Sequence, residues 1–255
     1  MKFGVISARR AGTAIALAAL LVALVLLVQF TGAYAVFTGG TVRKLPVYSV
    51  EREDKKIAIT FDCAWGTEHT DAILKALEAE KVHATFFMVQ FWAEKYPEYV
   101  KKIDAAGHEI GTHSATHSQM SKLSESEIRK ELQTSSQAIS SLTGKKVELF
   151  RPPFGDYDDL LVETATSEGL YSIQWDVDSL DWKNLTASEI TLRIVGKVQP
   201  GSIILLHNNG LHTAEALPAV LATLKNSGYE FVPVGELIYR DHFTMDANGR
   251  QHAAS

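Results

Sequence analysis

Residues 57–89 open with Ile57-Ala58-Ile59-Thr60-Phe61, pass through Thr70-Asp71-Ala72-Ile73-Leu74-Lys75-Ala76-Leu77, and close on Ala84-Thr85-Phe86-Phe87-Met88-Val89. The first and last stretches are apolar, rich in β-branched and aromatic residues, and of strand length. The middle stretch carries its apolar residues at helical spacing, with Thr70 placed to cap its N-terminus. A strand, a helix and a second strand in succession make a crossover unit, which pairs its strands in parallel. The alternation continues outward. Helices are expected over 96–106, 124–142, 158–168, 188–197 and 213–226, and Gly107, Gly144, Gly169 and Gly228 stop four of them. Strands are expected at 108–113, 148–150, 171–175, 202–206 and 229–232. Repeated units of this kind predict an α/β fold: a parallel sheet covered by helices, either open or closed into a barrel.

The ends read differently. Lys2, Arg9 and Arg10 precede an apolar run from Ala11 to Val28, and no further charge occurs until Arg43. A run of this length is enough to span a bilayer as one helix, with the basic flank in the cytoplasm and the remainder exported. Residues 1–37 are therefore expected to be a signal anchor or transmembrane segment. Cleavage near Ala35 is the alternative, because Ala33-Tyr34-Ala35 has a small-x-small pattern. Residues 38–55 read as a linker, 56–240 as one domain, and 241–255 as a polar tail. The expected location is the cell membrane, single-pass, with an extracytoplasmic domain.

Composition excludes several classes. A single cysteine in 255 residues rules out an internal disulfide framework and a multi-cysteine zinc module. A formal net charge of −5 argues against a nucleic-acid binder. No protein partner is indicated.

Ionisable residues gather at the C-terminal ends of the expected strands: Asp62 and Cys63, His113, Arg151, Asp176 and Asp178, and His207. In an α/β barrel that rim carries the active site. His113 and His117 stand at i and i+4, where two imidazoles can share a divalent metal, or can be two surface histidines. Asp62 reads as a general base or as a structural carboxylate. Arg151, in Arg151-Pro152-Pro153-Phe154-Gly155, is suited to gripping a carboxylate. Trp182, in Asp178-Ser179-Leu180-Asp181-Trp182, suits a sugar face or the core. His207, after Leu205-Leu206, reads as a general acid or a satisfied core histidine. His83, His108 and His212 read as packing, capping or surface residues.

These motifs, taken in order, resemble the NodB-homology polysaccharide deacetylases, family 4 of the carbohydrate esterases. The resemblance runs from about Lys56 to Val234 and rests on Thr60-Phe61-Asp62, the segment Gly107 to Ser114 with His117, Arg151 to Gly155, Asp178 to Trp182, and Leu205-Leu206-His207. It implies a distorted, incomplete (β/α) barrel, here preceded by one N-terminal transmembrane helix. It implies removal of acetyl groups from cell-wall glycan with a divalent metal, commonly zinc. Carried over, His113 and His117 are metal ligands and Asp62 is the base, oriented by Arg151. His207 is the acid, tuned by Asp181. Trp182, Leu206 and Phe154 line the substrate pocket, with the oxyanion near the backbone of Cys63 or Phe154.

Cys63 departs from the pattern, since relatives carry a metal-binding aspartate there. A thiolate is able to take its place on zinc. The plainer reading is a small buried residue that touches no metal, which leaves a degenerate site. The segment Thr60 to Gly66 further resembles a PdaB-like branch tied to sporulation and peptidoglycan. Two alternatives accompany the N-deacetylase reading: a non-catalytic wall-binding protein, and an O-acetyl esterase using the same residues.

Overall fold

The computed structural model describes residues 17–20, 22 and 43–254. Residues 17–20 and 22 are helical, and the rest of the expected transmembrane segment lies outside the described residues. No described helix is long and apolar enough to cross a membrane.

Within the unit Lys44–Ser255 the strands are β1 (Ser49–Val50), β2 (Lys56–Cys63), β3 (Thr85–Met88), β4 (Glu109–Thr112), β5 (Leu149–Phe150) and β6 (Tyr171–Ser172). They continue as β7 (Val177–Asp178), β8 (Ile203–His207), β9 (Glu230–Phe231), β10 (Phe243–Met245) and β11 (Arg250–Ala253). The helices are α1 (Thr70–Ala79), α2 (Gln90–Lys95), α3 (Pro97–Ala105), α4 (Glu125–Thr143), α5 (Asp159–Ser167), α6 (Ala187–Val195), α7 (Thr213–Asn226) and α8 (Val234–Leu237). Helix α4 has the local signals its length needs. Ser124 and Glu127 form a reciprocal capping box at its start, and Gly144, with φ 70°, closes its end in the left-handed conformation.

The main sheet is parallel, in the order β6-β5-β4-β3-β2-β8-β7, with β9 also paired to β2. Its two edge strands, β6 and β7, are consecutive in the chain and only residues 173–176 separate them. Such a link spans roughly 17 Å at most. Seven strands laid flat would put those edges roughly 29 Å apart. The sheet must therefore curl, and the expected incomplete barrel follows. The gap between its edges is bridged by residues 47–50. Val47 pairs with Ile173 beside β6, and Ser49 pairs with Ser202 beside β8.

That bridge corrects the reading of the ends. The expected linker contributes β1, and the expected polar tail contributes β10 and β11, which join β1 in a three-stranded sheet. Val47, Val50 and Gln251 are buried. The Gln251 amide bonds both the N–H and the carbonyl of Tyr239. A polar composition hid a tail that adds two strands and a buried Gln251 amide bonded to Tyr239.

Alternation along β2 sorts its side chains onto two faces. Ile57, Ile59, Phe61 and Cys63 belong to the larger apolar cluster, which also holds residues of the surrounding helices. Ala58 belongs to a second cluster with Phe87, Leu149, Ile173 and Ile203, inside the curl. Gly111 faces that interior: a Cβ there would stand 2.7 Å from the Phe87 ring.

Candidate active site

Parallel register carries the same parity from strand to strand. Asp62 pairs with His207 across β2 and β8, and with Phe87 across β2 and β3. Phe87 pairs with Gly111, two residues before His113. Arg151 directly follows β5 and donates its backbone N–H to the Thr112 carbonyl. Asp62, His113, Arg151 and His207 thus share the inner face at one end of the barrel, and the first three are buried.

Arg151 is the hub of this group. Its guanidinium lies 4.1 Å from the Phe87 ring centroid. Nη1 donates to Asp62 Oδ1 at 2.8 Å and to Thr60 Oγ1 at 2.8 Å, while Nη2 donates to the Gln174 carbonyl at 3.0 Å. Burial pushes the Asp62 carboxyl up, but Arg151, with His113 and His207, holds it below its ordinary value. Asp62 is therefore a carboxylate at neutral pH, with Oδ1 engaged by Arg151.

His113 Nδ1 lies 2.7 Å from the Arg151 carbonyl, an acceptor, so Nδ1 carries the proton. Nε2 then presents a lone pair, and it stands 3.5 Å from Asp62 Oδ2. Two acceptors converge there with no proton of their own, which suits a cation. Desolvation lowers the pKa of both His113 and His117, the latter to about 4, so both imidazoles are neutral as ligands must be. The rings of His113 and His117 lie 5.0 Å apart, centroid to centroid. They are brought together by a turn rather than a helix, in which Ser114 and His117 have φ of 70° and 57°. Glu131 of α4 pins this turn: its carboxylate accepts from the N–H groups of Ala115 and Thr116 and from Thr116 Oγ1, at 2.8–2.9 Å.

Cys63 does not join them. Period 2 turns it away from Asp62 into the larger apolar cluster, where burial, and then the Asp62 charge, push its thiol well above its ordinary pKa. Among the described residues no three His, Cys, Asp or Glu side chains stand together as a metal site. Two neutral imidazoles fit a divalent cation such as zinc, without a third protein ligand from Cys63.

On the other side of Asp62, His207 Nδ1 lies 2.7 Å from Asp181 Oδ1. Asp181 is fully buried, and its Oδ2 accepts from the His207 N–H at 2.8 Å and from Thr213 Oγ1 at 2.6 Å. Gly210 leaves room for this: a Cβ there would meet Thr213 Oγ1 at 2.1 Å and Asp181 Oδ2 at 2.7 Å. Burial lowers the His207 pKa, but the bond to Asp181 outweighs it, and the net direction is up. Burial likewise raises Asp181, and His207 with the other donors brings it below its ordinary value. His207 is thus partly exposed, oriented, and kept charged to a higher pH than a free histidine.

The pocket residues divide. Trp182 and Phe154 are 55% and 64% exposed. Phe154 holds φ 61° and rests edge-on to His117 at 4.6 Å. Leu206, expected in the pocket, is instead in the larger apolar cluster, level with Phe61. Leu205 has the parity of His207 and belongs on the inner face. Asp176 is also misplaced by the sequence reading. It accepts from Ser202 Oγ and the Ile203 N–H, at the opposite end of β8. Thr60, Glu131, Asn208 and Thr213 were not expected. Asn208 donates its N–H to the Asp62 carbonyl and its Nδ2 to the Gly66 carbonyl and Thr70 Oγ1.

Residues 49–173 match the polysaccharide deacetylase family. A peptidoglycan-N-acetylglucosamine deacetylase of Bacillus cereus is 34% identical over 200 residues, covering 76% of this chain and 93% of that protein. The chain belongs to the polysaccharide deacetylase family. It is also 33% identical over 193 residues to the uncharacterized protein YlxY of Bacillus subtilis, matching 76% of this chain. The chain spans 60% of YlxY's own length. Among solved structures it is similar to BA3943 of Bacillus anthracis, a CE4 family pseudoenzyme, with TM-score 0.74 and 36% identity over 76% of this chain and 68% of that one. A BA3943 mutant with restored enzymatic activity is similar to the same degree, with TM-score 0.74 and 37% identity over 76% of this chain and 71% of that one.

Proposed function

We propose that this polysaccharide deacetylase is a hydrolase that removes N-acetyl groups from peptidoglycan-type glycan. The observation that carries this reading is the pairing of an ionised, Arg151-held Asp62 with an Asp181-held His207 on neighbouring strands. Asp62 is placed to take a proton from the attacking water. His207, charged and partly exposed, is placed to give one to the leaving amine. Arg151 keeps Asp62 ionised and aimed, and the exposed rings of Trp182 and Phe154 offer faces to the glycan. His113 and His117 would hold a divalent cation, with zinc favoured by their chemistry. When bound, such an ion supplies Lewis acidity for the amide oxygen and lowers the pKa of water. The basic residues before the apolar N-terminal run support a membrane-anchored chain working outside the cytoplasm. A sporulation role rests on the likeness of Thr60 to Gly66 to that branch.

Release of acetate from N-acetylglucosamine oligomers and from peptidoglycan tests the activity. Turnover by the native chain that disappears in Asp62→Asn and in His207→Ala is the expected result. Full turnover in Asp62→Asn refutes the assignment. A second reading, a wall-binding protein without turnover, is favoured by one observation: Cys63 faces the core, away from His113 and His117. That reading predicts glycan binding with no acetate released at any zinc concentration. An O-acetyl esterase would release acetate from O-acetylated glycan only.

A further inference from the structure

Trp65 has no part in the chemistry above, yet it is 54% exposed. Its backbone is not loose. The neighbouring Gly66, with φ 60°, has its carbonyl held by two buried donors, Trp92 Nε1 at 2.7 Å and Asn208 Nδ2 at 2.9 Å. Ala64, on the other side, is buried. A rigid loop therefore displays a large apolar ring to solvent, an arrangement that marks a contact surface more than a packing residue.

The surroundings of Trp65 give the surface its character. Its ring meets His117 at 4.8 Å and 66°, and Phe154 meets the same imidazole at 4.6 Å and 75°. An indole has two faces, and one edge-on neighbour covers no more than one of them. Trp65 and Phe154 thus make a short aromatic row along His117, on the β4 side of Asp62. Trp182 stands on the other side, in the turn that carries Asp181 beside His207. Sheet order places the reacting centre between these two aromatic stations. One station would serve a single sugar; two, on either side, suit consecutive sugars of a chain.

We propose that Trp65, with Phe154, forms a second sugar-stacking subsite, which holds a residue of a β-linked amino-sugar chain next to the one presented to Asp62 and His207. The subsite rests on the glycan-deacetylase reading and deepens it: the ligand is an oligomer, and Trp65 reads its length.

The test is binding, which does not depend on turnover. The full chain in detergent is titrated by calorimetry with N-acetylglucosamine and with its β-1,4-linked tetramer, as native protein, Trp65→Ala and Trp65→Phe. The native chain is expected to bind the tetramer more tightly than the monomer. Trp65→Ala should bind the tetramer about tenfold more weakly, the loss from uncovering one stacked ring face, and leave the monomer unchanged. Trp65→Phe should recover most of that loss, and equal melting temperatures across the three proteins exclude a folding defect. Equal tetramer affinity in native and Trp65→Ala proteins overturns the subsite while leaving the deacetylase reading intact. A native chain with no preference for the tetramer also overturns it. A native chain that binds neither sugar overturns both.

Discussion

Replacing Cys63 by aspartate separates the two fates of this position. Cys63 is fully buried among apolar residues, and its thiol has no hydrogen-bond partner among the described residues. An aspartate built there has two options. It stays in the core and takes up a proton, because an unpaired carboxylate beside Asp62 is far more costly. A neutral carboxyl without a hydrogen-bond partner costs about 1–3 kcal/mol, and the lost packing adds about 1 kcal/mol. For a domain of this size, about 2–4 kcal/mol lowers the melting temperature by roughly 4–16 °C. Alternatively the strand end turns and the carboxylate joins His113 and His117. Zinc at about a thousand times its dissociation constant then returns about 4 kcal/mol. The expected result of thermal melts with chelator and with zinc is a Cys63→Asp protein that melts well below the native chain in chelator and recovers in zinc. Acetate release should rise with it. Two results refute the reasoning: no loss of stability in chelator, which denies the apolar setting, or equal zinc shifts in both proteins, which denies the new carboxylate any part in holding the ion.

Arg151→Met should cost about 3–5 kcal/mol in denaturant unfolding, because it strands the buried Asp62 carboxylate; a loss under 1 kcal/mol contradicts the hub role. Thr213→Val removes one donor from the buried Asp181 carboxylate and should cost about 1.5–3 kcal/mol, with Thr213→Ser restoring most of it. The His207–Asp181 pair has a defined pH window. His207 is raised, so its contribution is complete below pH 6.5 and fades as pH rises through the raised value. Asp181 is lowered, so its contribution is complete above pH 3.8 and fades as pH falls through the lowered value. Asp181→Asn should therefore destabilise most between pH 3.8 and 6.5 and less at pH 9, as read from urea midpoints; a flat difference across pH refutes the pairing. Ending the chain at Arg240 removes Gln251 from Tyr239 and should cost about 2 kcal/mol or more by the same measurement.

The alternation of apolar runs and helical patterns made the sheet, the helices and the site-bearing rim legible, because each rests on local periodicity. The same periodicity already carried the parity of Cys63 and Leu206. Ile57, Ile59 and Phe61 share the face of Cys63, and Leu205 rather than Leu206 shares that of His207. Motif likeness had no means of expressing which way a strand residue points. Other features were not local. Glu131 reaches the histidine turn from 14 residues beyond His117, and Thr213 reaches Asp181 across 32 positions. Residues 47–50 look like a spacer because a two-residue strand leaves no periodic trace, and their role appears only when the sheet curls and leaves a seam to fill.

The setting of Cys63 also bears on how the chain meets oxidants. A lone thiol on a surface invites cross-linking of two copies into a disulfide-bonded pair, and a thiolate would speed it. Here the sulfur is shielded and held protonated, so in the folded chain this thiol is kept from peroxides, metals in solution and other thiols. Disulfide-linked material should therefore arise only from molecules that have unfolded.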